Sequence, residues 1–136
     1  MKKLSPLLTV EEIEPCLPFW TEGLGFEVTV SVPRDDALGF AILQKGGVEL
    51  MYQTRASIDA DVGPSGAPEG MGREMLSGTA SLFIEVEELD PVVAGLGDAE
   101  VLVPRRQTFY GMDEIFVRAP CGTIVGFAAP IEEERS

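Results

Sequence analysis

Ser5–Pro15, SPLLTVEEIEP, and Ser81–Pro91, SLFIEVEELDP, read as one segment written twice. Ser5 falls on Ser81, Leu8 on Ile84 and Val10 on Val86. Glu11 and Glu12 fall on Glu87 and Glu88, Ile13 on Leu89 and Pro15 on Pro91. Two copies at one fixed shift indicate a duplicated module rather than a solenoid. The fold then follows from reading one module and checking it against the other.

Each copy opens with a strand, Leu4 to Val10 and Thr79 to Val86, and continues into a helix. Asp90-Pro91 suits an N-cap followed by proline at the first helical position. Glu14-Pro15 is the weaker equivalent, and Pro18 keeps the first helix from starting much earlier. Ile13, Leu17, Trp20 and Leu24 form one apolar stripe; Leu89, Val93 and Leu96 form the other. Three strands close each copy. They are Phe26 to Val32, Leu38 to Lys45 and Val48 to Thr54, then Glu100 to Thr108, Asp113 to Arg118 and Thr123 to Ala129. Turn signals separate them at Pro33 to Asp36, Gly46-Gly47, Tyr110-Gly111 and Pro120 to Gly122. The expected fold is α+β: two βαβββ modules, residues 1–54 and 79–131, in a single domain. The connection at 55–78 is rich in Gly, Pro and Ala and reads as a lid, a binding loop or a flexible linker. Residues 132–136 read as a solvated acidic tail.

The totals bound the function. The 136 residues are 45% hydrophobic and 24% charged, enough apolar content for a core. No apolar run approaches the roughly 20 residues of a membrane span. The N-terminus does not read as a secretion signal, so a cytoplasmic location is the default expectation. With 23 acids against 10 bases the net charge is −13. Nucleic acid and anionic membrane are therefore unexpected partners, since both need a basic face. A cationic ligand would be attracted, though acidity also serves solubility alone. Cys16 and Cys121 do not make a disulfide framework and read as inert buried thiols.

The duplicated order resembles the vicinal oxygen chelate superfamily of glyoxalases, extradiol dioxygenases, fosfomycin-resistance enzymes and bleomycin-resistance proteins. LLTVEEIEPCLPFWTEGLGFEV is similar to its opening strand, helix and LGF turn, and VRAPCGTIVGFAAP to its closing turn and last strand. Ala119 and Cys121 depart from the latter pattern. The Pro-x-Leu-Thr strand, with Pro6, Leu8 and Thr9, and the Phe19-Trp20-Thr21 run resemble bleomycin-resistance proteins most. The resemblance implies that the two modules form a curved mixed sheet around a cleft, lined by one face of each module's strands. Alternation then sends Val48, Leu50 and Tyr52 to the core, with Leu8, Val10, Leu82, Ile84, Val125 and Phe127. Glu49, Met51 and Gln53 go to the cleft with Ser5, Ser81, Phe40, Ile42, Glu114 and Phe116.

Metal-using relatives hold a divalent ion with histidines and glutamates, at positions that fall on Ser5, Glu49, Ser81 and Gly126. Only Glu49 is a ligand type, and the chain has no histidine. The expectation is no metal and no cofactor. Candidate ligand-binding residues are Phe40, Glu49, Met51, Gln53, Phe109, Tyr110 and Glu114. Aromatic rings beside carboxylates suit a planar or cationic guest, with Glu85 a further source of charge. Core packing is the competing reading for each aromatic, and is favoured for Trp20. Three functions remain open. The first is metal-free sequestration of an aromatic or cationic compound such as a bleomycin-type antibiotic. The second is a metal-free isomerase or lyase on a small oxygenated substrate, with Glu49 or Glu114 a base if burial raised its pKa. The third is a structural or regulatory dimer with a vestigial cleft. The resemblance also implies a homodimer that exchanges its first strand, which Pro6 would suit.

Overall fold

A computed structural model describes residues 2–76 and 81–131, apart from the side chain of Cys121. Contacts divide the chain into two compact units, Met1–Thr79 and Ala80–Ser136, each built on one four-stranded mixed sheet. In the first unit the strands are β1 (Leu7–Val10), β2 (Glu27–Arg34), β3 (Ala37–Lys45) and β4 (Val48–Thr54). Their order is β1-β4-β3-β2, with β1 parallel to β4 and the other pairs antiparallel. In the second they are β5 (Leu82–Glu85), β6 (Glu100–Gln107), β7 (Met112–Arg118) and β8 (Ile124–Pro130), ordered β5-β8-β7-β6. The duplication extends to register, since Leu8 pairs with Tyr52 as Ile84 pairs with Phe127.

The alternation of β3 and β4 is resolved as expected. Ala41, Leu43, Leu50, Tyr52 and Thr54 are buried, and the residues between them on these strands are half-buried. Trp20 anchors the core of this unit. Its indole N–H donates to the Tyr52 hydroxyl at 2.9 Å, and Phe19 and Phe26 pack edge-on at 5.0 and 5.1 Å. Burial pushes the Tyr52 phenol up to about 12, so it stays neutral as the acceptor of that bond.

Four expectations are corrected. The Ile13–Trp20–Leu24 stripe is buried, but the segment is a 3-10 turn, Glu14–Cys16, running on into a π-helical segment, Phe19–Gly23. Pro15 sits in the first turn, where its missing N–H is harmless, but Pro18 lacks the N–H that a continuing helical ladder needs. Asp90 is not an N-cap. Leu89 holds that place without a side-chain cap for α3 (Asp90–Gly95), and the Asp90 carboxylate pairs with Arg105 at 2.8 Å. Pro33 lies inside β2 and not in the turn, which is Asp35-Asp36 with Asp35 at φ 57°. Its missing N–H is tolerated because β2 is an edge strand. Cys16 is buried in a disulfide and so is not a free thiol, while the side chain of Cys121 lies outside the described residues.

Most of the 55–78 connection is also ordered into helix, not loop. α1 (Arg55–Val62) is capped by Thr54, whose hydroxyl accepts from the Ser57 N–H at 3.1 Å. A 3-10 turn, Gly63–Ser65, leads to α2 (Met71–Leu76). The Gly72 N–H donates to Asp59 at 2.9 Å, and a Cβ at Gly72 would stand 2.8 Å from the Arg55 carbonyl. That glycine is what lets α2 close onto α1. Residues 77–80, with the expected start of the second module's first strand, and residues 132–136, the expected acidic tail, lie outside the described residues. Among the described residues no helix is long and apolar enough to cross a membrane.

Candidate functional site

β3 and β4 set one face of the first sheet through the pairs Phe40–Gln53, Ile42–Met51 and Gln44–Glu49. β1 adds Leu7 beside Met51 and Thr9 beside Gln53. The candidates Phe40, Glu49, Met51 and Gln53 therefore share one face, because successive side chains alternate.

Glu49 is not a free carboxylate on that face. Ser5 Oγ donates to its Oε2 at 2.7 Å, Lys3 Nζ and Gln44 Nε2 donate to Oε1, and the Lys3 ammonium stands 3.0 Å from Oε2. Its side chain is 12% exposed. The Ser5 hydroxyl first, then Lys3 and Gln44, hold its pKa down at about 2. It is therefore ionised at neutral pH and too weak a base for the role expected had burial raised it. Gln53 meets α1, its Nε2 donating to Ser57 Oγ at 3.0 Å beside a groove of about 670 Å³ that Phe40 also lines.

The second unit groups Tyr110 with Glu114. Glu114 is fully buried on β7, and its Oε1 accepts from Tyr110 Oη at 3.0 Å. The same oxygen accepts from Arg106 Nε at 3.1 Å and NH2 at 2.7 Å. Oε2 is buried with no partner. Phe109 is fully exposed at the β6–β7 turn, its ring edge-on to Tyr110 at 5.1 Å. Both candidate carboxylates thus already carry a cation from this chain.

Lys3, Gln44, Arg106 and Ser57 are the contacts that sequence reasoning missed. Gln44 and Arg106 carried a signal. A hairpin centred on Gly46-Gly47 sets Gln44 opposite Glu49, and pairing of β6 with β7 sets Arg106 opposite Glu114. Lys3 precedes any regular element and Ser57 lay in the presumed loop, so neither had one.

These paired four-stranded modules define a class. Residues 4–127 match the Glyoxalase/Bleomycin resistance protein/Dioxygenase superfamily, and the chain belongs to it. Among solved structures it is similar to TioX from Micromonospora sp. ML1, with 16% identity, 95% of this chain and 100% of that one covered, and a TM-score of 0.68. It is similar also to a glyoxalase/bleomycin resistance protein/dioxygenase from Nocardioides, with 22% identity, 97% and 85% covered, and a TM-score of 0.68. A third is the bleomycin-binding protein of Streptomyces verticillus, solved with copper(II)-bleomycin, with 22% identity, 98% and 99% covered, and a TM-score of 0.60. At such identities the likeness is one of fold. No curated protein matches the chain.

The divalent ion used by some members does not fit the residues present. The Glu49 position is engaged by Lys3, whose ammonium a metal would have to displace. The Gly126 position is covered by a ring: a Cβ there would lie 2.5 Å from Phe116 Cε2. Among the described residues no group of three or more carboxylate or thiol side chains could hold a metal.

Proposed function

We propose that this protein binds and sequesters an aromatic or cationic small molecule, such as a bleomycin-type antibiotic, without a metal and without altering it. The observation that carries this is the state of Glu49. The family's ligand-type carboxylate is held ionised by Ser5, Lys3 and Gln44, which leaves it neither a free metal ligand nor a proton acceptor near neutral pH. What remains on that face is a binding surface of Phe40, Ile42, Met51 and Gln53. Similarity to a protein solved with copper(II)-bleomycin supports the class of ligand. With Lys3 and Arg106 on the two carboxylates, ring stacking contributes more to recognition than local charge does. The acidic field of the whole chain still favours a cationic guest at long range.

The alternative is a metal-free isomerase or lyase, and one observation favours it: the unpartnered Glu114 Oε2 could accept a proton or a donor. The two readings separate in one experiment. Bleomycin is titrated calorimetrically into protein in the presence of chelator, and the recovered drug is weighed by mass spectrometry. Stoichiometric binding with the drug unchanged supports sequestration. Conversion of the drug at substoichiometric protein would overturn it.

A further inference from the structure

The groove between the first sheet and α1 holds a cation that the chain leaves unused. Arg55, Arg105, Arg106 and Arg118 each pair with a carboxylate of their own unit. Arg73 is engaged as well. Among the described residues Arg34 is the arginine whose side chain has no ion pair and no hydrogen bond, in a chain with 23 acids. It lies at the end of β2 and lines the groove of about 670 Å³ together with Gly39, Phe40, Gln53, Ser57 and Asp61. That volume falls within the range of small-molecule pockets.

The groove has a built floor. Gly39 is buried, and a Cβ there would stand 2.9 Å from the Arg34 Cβ and 3.3 Å from the Ser57 Cβ. Only a residue without a side chain lets Arg34 and Ser57 approach from two sides. Phe40 follows Gly39 and, by the alternation of β3, carries its half-buried ring on the face it shares with Gln53; both residues line the groove. Gln53 and Ser57 are bonded to each other on the far wall and keep spare donor and acceptor capacity.

We infer that this groove takes a planar aromatic compound carrying one carboxylate, the ring against Phe40 and the carboxylate on the Arg34 guanidinium. A guanidinium offers a planar fork of donors that matches a carboxylate bidentately. Asp35 and Asp61 also line the groove, and their charges would disfavour a second negative charge on the guest. The site therefore admits a monoanion and rejects polyphosphates. The net charge of −13 does not forbid this, because exposed charges beyond roughly 8 Å are screened at physiological salt. The inference rests on the aromatic half of the proposed function and replaces, at this groove, its cationic half.

The test compares 2-naphthoate with its uncharged analogue 2-naphthamide, on wild-type protein and on Arg34→Gln, by amide NMR titration. Arg34 is exposed and unpaired, so the variant is expected to fold normally. 2-Naphthoate is expected to shift the Gly39, Phe40, Gln53 and Ser57 amides. It is expected to bind about ten-fold tighter than the amide, as a charge-assisted hydrogen bond allows. Arg34→Gln should abolish that preference and leave 2-naphthamide unchanged. Equal affinity for the two compounds, or a preference that survives Arg34→Gln, would overturn the carboxylate assignment while leaving aromatic binding standing. If neither compound binds, the groove is not an aromatic site and this inference falls, while the proposed sequestration stands or falls on the bleomycin titration.

Discussion

Glu49 concentrates the chemistry of the first sheet in one side chain. Its folded pKa of about 2 lies below the ordinary 4.5. A carboxylate with a depressed pKa contributes stability that is fully present above its unfolded value and is lost as pH falls through the folded one. Wild-type protein should therefore lose thermal stability between pH 4.5 and 2, and Glu49→Gln should flatten that stretch of the profile. Parallel acid melts of both proteins measure it; superimposable slopes would show that the carboxylate is not engaged in solution. A second residue-scale expectation concerns Gly126, packed under the Phe116 ring. Gly126→Ala should cost about 1–3 kcal/mol by overpacking, and Phe116→Ala in the same chain should relieve part of that cost. Denaturant midpoints of the two single variants and the double variant decide it. Sequence placed Glu49, Met51 and Gln53 on one face because strand alternation is a property of the local chain. It left out Lys3 and Ser57, whose contacts depend on segments that alternation does not describe.

The element that the sequence obscured is the α1–α2 pair. Gly63, Pro64, Gly66, Pro68 and Gly70 dominate the middle of the 55–78 stretch and read as loop, yet helices form on both sides of them. The signals were short: a Thr54 cap three residues before Ser57, and an Asp59 that closes onto a distant glycine. Replacing Asp59 by Ala should remove one hydrogen bond and loosen α2 alone. Hydrogen exchange should quicken at residues 71–76 and not in β3 or β4, in keeping with local opening. Uniform quickening throughout the first unit would mean that the pair unfolds only with the sheet. The Trp20–Tyr52 bond belongs to this scale too, since it ties the π-helical segment to β4. Tyr52→Phe leaves a buried indole N–H without a partner and should cost about 1–3 kcal/mol in chemical denaturation. The broken helix around it was half legible: the stripe was visible, but Pro18 forced a backbone that the stripe alone does not specify.

At the scale of the whole chain, duplication carried the fold. Every strand expected from the repeat is present, in the same order in each unit. The candidate site was less legible, because Lys3 on Glu49 and the Phe116 ring over Gly126 are seen only in three dimensions. We also propose the homodimer that the resemblance implies. β1 pairs within its own unit, through Leu7–Met51 to Val10–Thr54, so exchange of that strand would have to break these contacts together with the Lys3 and Ser5 bonds to Glu49. Exposed Leu7, Val30 and Val32 offer an apolar surface for a two-fold contact. Sedimentation at micromolar concentration should give about twice the mass of the 14.6 kDa chain, and a monomer mass would remove the dimer.

The central claim is binding without a metal. Its most direct test is a thermal-shift screen of aromatic compounds, bleomycin and 2-naphthoate among them, run once with chelator and once with added zinc or manganese. The account expects a hit at 100 times its Kd to stabilise the protein by about 2.7 kcal/mol in chelator, with no further gain from metal. Stabilisation that appears only when the metal is present would contradict it.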